Sequence, residues 1–260
     1  MKFGVCRGLD DIEAIKIASE AGADYFETGF GCLANFTDEQ FLSGKNALED
    51  YGIKCVAVNG FIPGDMNLVG ENVDYGRIEE YLDKGFERAG VLGVEKIVLG
   101  SGKARSFEDG YSKEKAEEQL AFFLSRYASP KAKKIGASIV LEPLRFCETS
   151  MIHTVADGVK MAHLSGEDNV FGLADLYHVY GNADSVSGMR ELKNKVIHAH
   201  IAEPVKRVYP KSTDREEVIY IYREFLSTLD AIGCETCSIE AHTEDFKADA
   251  VEAISFLKSL

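Results

Sequence analysis

Short runs of β-branched and apolar residues alternate along the chain with longer segments in which apolar positions recur every three or four residues. That alternation is the pattern of repeated βα units on a parallel sheet. Strands covered on both faces read as near-continuous apolar runs, while each covering helix buries a single stripe. Eight strand runs are read: Lys2 to Cys6, Tyr25 to Thr28, Lys54 to Asn59, Lys96 to Leu99, Ser138 to Glu142, Val170 to Asp175, Val196 to Ala202 and Thr236 to Glu240. Helical spacing marks Ile12 to Ala21, Arg77 to Leu92, Lys113 to Arg126, Ala156 to Leu164, Glu216 to Ile232 and Ala248 to Leu260. Glycine recurs ahead of the strands in AGAD, YGIK, LGVEK, KKIGAS and AIGCET, where a left-handed helix end costs glycine least.

Eight such units in 260 residues predict a single (β/α)8 TIM barrel over residues 1–260, a fold of roughly 250 residues as one domain. An open doubly wound sheet shows a similar alternation, so periodicity alone does not close the barrel. The first βα turn, CRGLDD, lacks the G-x-G-x-x-G of a dinucleotide fold. With 45% hydrophobic and 28% charged residues, the composition is that of an ordinary globular protein. No run is long enough to span a bilayer, and MKFGVCRGLDD lacks a signal peptide's apolar core; the expectation is a cytoplasmic protein without membrane partners.

The six cysteines are scattered and read as reduced thiols. Cys234 and Cys237 form a lone C-x-x-C, with no second pair to complete a zinc site, and packing is the expected role. With 29 basic against 43 acidic residues, the formal charge of −14 repels phosphate backbones. The one basic stretch, Lys131 to Lys134, falls at a helix end, where cations suit the dipole and need no partner.

Chemistry concentrates in the second half of the chain. Four successive strands finish on a residue able to bind a metal: Glu142 in SIVLEPL, Asp175 in VFGLADLYH, His200 in VIHAHIAE and Glu240 in CSIEAH. In a barrel the C-terminal strand ends converge on one mouth, so side chains spread over about a hundred residues can meet. Three carboxylates and an imidazole suit one divalent ion, Mn²⁺ first, with Mg²⁺, Co²⁺ and Zn²⁺ as alternatives. Taken singly, a strand-end acid can simply cap the next helix, and a strand-end histidine can be a satisfied core residue. His198 shares a strand face with His200 and is read as its supporting partner. His153, His163 and His242 are read as structural or exposed.

On these motifs the sequence resembles the xylose-isomerase-like sugar isomerase/epimerase superfamily, which includes ketose 3-epimerases, inosose dehydratase and, more remotely, endonuclease IV. The resemblance spans the chain, and its specific motifs run from Glu142 to Glu240. It implies that Glu142, Asp175, His200 and Glu240 bind the metal. It implies substrate-side roles for Arg145 and Glu148 in LEPLRFCET, for His178 in ADLYH and for Arg207 after the histidine strand. Glu27 in YFETGF matches a position near the pocket where relatives often carry an acid. The implied partner is a small sugar or polyol, and such relatives often form homo-oligomers.

The chain departs from that pattern at RVYPKSTD, where many ketose epimerases have a P-G-x-G stretch and this sequence supplies Tyr209 and Lys211. After the second glutamate it reads ETSMIHT, with Met151 and His153 where relatives often place an asparagine. The activity implied is isomerisation or epimerisation of a keto-sugar through an enediolate, with Glu142 and Glu240 exchanging the proton. Dehydration of an inosose-like ketopolyol and a non-catalytic sugar-binding barrel are the alternatives. Endonuclease-type repair is disfavoured by the acidic charge and by only six histidines, none before His153.

Overall fold

The computed structural model describes residues 1–260, in which eight parallel strands close into a barrel in sequence order. They are β1 (Lys2–Cys6), β2 (Tyr25–Gly29), β3 (Cys55–Asn59), β4 (Lys96–Leu99), β5 (Ser138–Leu141), β6 (Val170–Asp175), β7 (Val196–Ile201) and β8 (Thr236–Ile239). Closure is made by β8 pairing with β1, with Lys2 opposite Thr236 and Val5 opposite Ile239. The expected fold is therefore the observed one: a single (β/α)8 TIM barrel.

The two-residue strand period separates a helix-facing set from a barrel-facing set. Ile139 and Leu141 of β5 join the large core beneath the helices. Val140, between them, packs with Val98 of β4 and Leu173 of β6 in a small separate cluster. Two residues beyond Val98, Val140 and Leu173 along the same face come Gly100, Glu142 and Asp175. On β7 the same face carries His198 and then His200, both fully buried. The barrel interior thus changes from apolar to polar along its axis. Gly4 makes room for this, because a Cβ there would lie 2.3 Å from the ring of Tyr25, whose hydroxyl crosses to Ser238 Oγ at 2.8 Å.

Around the barrel lie α1 (Ile12–Glu20), α2 (Phe30–Asn35), α3 (Asp38–Asp50), α4 (Tyr75–Leu92), α5 (Lys113–Phe123), α6 (Ser129–Lys134), α7 (Val155–Ser165), α8 (Leu176–Gly181), α9 (Glu216–Ile232) and α10 (Phe246–Ser259). Their starts are written in the sequence. Asp11, Asp74, Ser112 and Asp245 each accept a backbone N–H at an N-cap, and Thr37 and Thr154 form reciprocal capping boxes with Gln40 and Asp157. Their ends obey the glycine rule where it matters: Gly93 and Gly233 sit in the left-handed region at φ 71° and 83°.

Two features differ from the periodicity reading. Helices α2 and α3 fill the span between β2 and β3, and the expected Lys113–Arg126 helix passes at Leu124–Ala128 through a π-helical turn into α6. Pro130 in the first turn of α6 explains the break, since its missing N–H leaves one carbonyl of the preceding ladder without its usual donor. The Lys131–Lys134 run is the C-terminal end of α6, where Lys131 pairs with Asp83 and Lys133 with Glu167 and Asp168. No helix is long and apolar enough to cross a membrane.

Candidate metal centre and substrate pocket

Glu142 and Glu240 are the first residues beyond β5 and β8, while Asp175 and His200 fall within the last two residues of β6 and β7. Barrel closure brings one ligand-type atom from each of these residues to within 4.8 Å of the others. His200 is at the centre. Its Nδ1 lies 3.2 Å from Glu142 Oε1, 3.3 Å from Glu240 Oε2 and 4.0 Å from Asp175 Oδ2. Its Nε2 is 3.0 Å from Glu27 Oε1, and Glu27 Oε2 is 3.0 Å from Nε2 of His198 and accepts the Ser238 hydroxyl.

Glu27, expected near the pocket, is fully buried like His200 itself, and it holds the ring at Nε2. His198, as expected, is a supporting residue, pinned between Glu27 and Thr236 Oγ1.

The donor set fits a divalent cation. Asp175 Oδ1 caps α8 by accepting the Tyr177 N–H at 2.7 Å, but its Oδ2 is buried with no hydrogen-bond partner. A buried carboxylate oxygen without a donor is costly unless a cation shares it. His200 Nε2 faces Glu27 while its Nδ1 faces three carboxylates, a density of acceptors that calls for shared positive charge. Three oxygens and one imidazole match hard or borderline ions.

Electrostatics within the cluster are uneven. Burial pushes the Glu142 carboxyl above its ordinary value, and the charge of Glu240 adds to the effect. Glu240 suffers the same burial, but His200 and Arg207 outweigh it and hold its carboxyl at about 2. For His200, burial opposes the charged ring, yet Glu27 and Glu240 raise its pKa well above the usual histidine value.

The substrate-side expectations gather on one side of this centre. Arg207 donates to Glu240 Oε2 at 2.5 Å and stands 3.7 Å from Asp175 Oδ2. His178, in α8, has Nε2 3.6 Å from Asp175 Oδ2 and Nδ1 3.3 Å from Glu148, which in turn accepts from Arg145 Nε at 3.0 Å. Tyr177 lies between the arginines, its ring 4.6 Å from the Arg145 guanidinium carbon and 4.8 Å from that of Arg207. Arg207 holds a left-handed backbone at φ 54°, fixed where its carbonyl accepts the His242 N–H.

Tyr209 and Lys211 do not join the pocket. Tyr209 is buried against Phe246, and Lys211 pairs with Asp249 at 2.9 Å. Cys234 and Cys237 are buried free thiols outside this cluster and outside the neighbouring group of Cys6, Glu27 and His200. His163 and His242 are exposed, and His153 stacks on Phe146.

The model of the xylose isomerase-like TIM barrel family matches residues 15–260. The chain belongs to that family. Among solved structures, this xylose isomerase-like barrel is similar to a 3-keto-D-glucoside 4-epimerase from E. coli, with a TM-score of 0.82 and 20% identity over 100% of both chains. A D-psicose 3-epimerase from Clostridium cellulolyticum H10, solved with D-tagatose, gives 0.84 and 19%, covering 100% of this chain and 99% of the other. An AP endonuclease family 2 protein from Brucella melitensis gives 0.78 and 18%, covering 99% and 98%. No curated protein sequence matches the chain.

Three contributors to the site were not singled out in the sequence. Asn59, at the end of β3, donates to Glu240 Oε1 at 3.2 Å. Its place as the last residue of a strand was the available signal. Tyr177 and the buried Arg105, which grips the Glu142 carbonyl at 2.6 Å, carried none, because each is defined by a contact made only after folding.

Proposed function

We propose that this protein is a divalent-metal-dependent isomerase or epimerase of a keto-sugar or related polyol. The observation that carries the reading is the convergence of Glu142, Asp175, His200 and Glu240 within 4.8 Å, with a buried, unpartnered Asp175 oxygen facing the cluster. The similar folds described as sugar epimerases support the same substrate class. Held by these residues, a divalent ion, Mn²⁺ by preference, supplies Lewis-acid polarisation of neighbouring substrate oxygens.

The protein's own residues do the rest. Glu142 and Glu240 arrive from β5 and β8, and an oxygen of each meets His200 Nδ1. One carboxylate takes the proton from the carbon beside the keto group, whose electron pair moves towards the carbonyl oxygen. The other returns a proton to that carbon, which inverts it if delivery is from the opposite face. Arg207 and His178, both beside Asp175, orient substrate hydroxyls, and Arg145 with Glu148 holds His178 from behind. Asn59 and Arg207 fix the two Glu240 oxygens, so the base reacts from one position.

The test is Glu240→Gln. It should bind Mn²⁺ within about tenfold of the wild type while exchange of the substrate's α-proton falls at least ~10³-fold. Undiminished exchange in that variant removes Glu240 from the proton path.

A further inference from the structure

We propose that the segment Gly100–Arg105, which follows β4 and supplies no ligand, is a positioning element for Glu142, with Gly100 and Arg105 as its working residues. The proposal deepens the metal-site reading and rests on it.

Three positions along this segment are fitted to the chain around Glu142. At Gly100 a Cβ would stand 2.1 Å from Glu142 Oε2, so only a glycine leaves the carboxylate where it is. At Gly102 a Cβ would stand 2.5 Å from the Glu148 carbonyl oxygen, which lets the loop carrying Arg145 and Glu148 lie directly on the segment. At Arg105, closing the one-turn 3₁₀ helix Lys103–Arg105, the guanidinium donates to the Glu142 carbonyl oxygen at 2.6 Å. Ser101 between them has a left-handed backbone at φ 41°, and its hydroxyl accepts the Ile62 N–H at 2.9 Å, which ties the segment to the loop after β3.

Arg105 is an expensive residue to place there. It has no exposed surface, and its Nε and Nη1 have no hydrogen-bond partner in the protein. A buried cation so sparsely paired is a poor source of stability, and a long apolar side chain would fill the same space at lower cost. Its place makes sense through what it touches: the carbonyl of a candidate ligand one residue beyond β5, whose N–H is held by the Leu99 carbonyl of β4 and whose own carbonyl is held by Arg105. It also places a positive charge on the β4 side of a cluster whose other arginine, Arg207, stands on the β8 side.

Gly100→Ala separates positioning from folding, because the clash falls on the far end of a side chain and not on backbone. Binding of Mn²⁺ alone to the full chain is measured by calorimetry for the wild type, Gly100→Ala, Arg105→Met, Arg105→Lys and Glu142→Gln, with thermal midpoints recorded in chelator. The expected result is an Mn²⁺ affinity at least about tenfold lower in Gly100→Ala at a near-wild-type midpoint. Arg105→Met should show a similar loss, with partial recovery in Arg105→Lys, which keeps a cationic donor. Wild-type affinity in both Gly100→Ala and Arg105→Met overturns the proposal while leaving the metal site intact. A wild type that binds no Mn²⁺, or a Glu142→Gln that binds it equally well, overturns the underlying metal reading and the proposal with it.

Discussion

His200 is where the chemistry of single residues is most constrained, because one ring meets Glu27 below and three carboxylates above. Glu27 is the residue whose contacts were least legible in the sequence. Its acid sits two residues along β2 from Tyr25, and only the closed barrel shows that it meets both His198 and His200. The convergence of Glu142, Asp175, His200 and Glu240, in contrast, was readable, since each marks a strand end. Burial disfavours the Glu27 charge, but His200 and His198 more than compensate and hold its carboxyl below its ordinary value of 4.5. A depressed folded value means the contribution to stability is complete above 4.5 and is lost as pH falls towards the folded value, because the unfolded chain takes up its proton first. In chelator, the wild type should therefore lose about 1 kcal/mol more than Glu27→Gln between about pH 6 and about pH 3.5. Denaturant titrations at the two pH values measure this, and parallel losses would show that Glu27 is not held by the histidines.

At the scale of elements, strand positions came through the sequence almost intact, because β-branched runs between glycine-capped helices leave little choice of register. What did not come through has local causes. Helix α3 is announced by the capping box of Thr37 and Gln40, yet its short apolar stripe of Phe41, Leu48 and small residues falls below what periodicity detects. The break between α5 and α6 is set by Pro130, whose effect is felt a turn earlier than the proline itself. The glycine punctuation is the most directly testable of these features. Gly93 ends α4 at φ 71° with open space around its absent Cβ, so an alanine there meets strain and no clash. Gly93→Ala should lower stability by roughly 1 kcal/mol with Mn²⁺ affinity unchanged. A change in affinity would show that the far side of the barrel is coupled to the site.

For the whole molecule, the decisive step is closure. Alternating βα units are equally compatible with an open sheet, and only the β8–β1 pairing turns a line of strand ends into a ring on which Glu142 and Glu240 meet at His200 Nδ1. The net charge of −14 is consistent with a centre that recruits a divalent cation and repels polyanions, and charge alone names no substrate. The proposed role of this ring, loaded with metal, is to move a proton at carbon. The most direct measurement is deuterium incorporation from D₂O into a panel of ketoses and ketopolyols, followed by mass spectrometry, with the wild type and Glu142→Gln in Mn²⁺ and in chelator. Incorporation is expected at the carbon beside the keto group of at least one panel member, dependent on Mn²⁺ and lost in Glu142→Gln. Incorporation that persists in chelator, or a wild type that binds Mn²⁺ and labels none of the panel, would contradict that role.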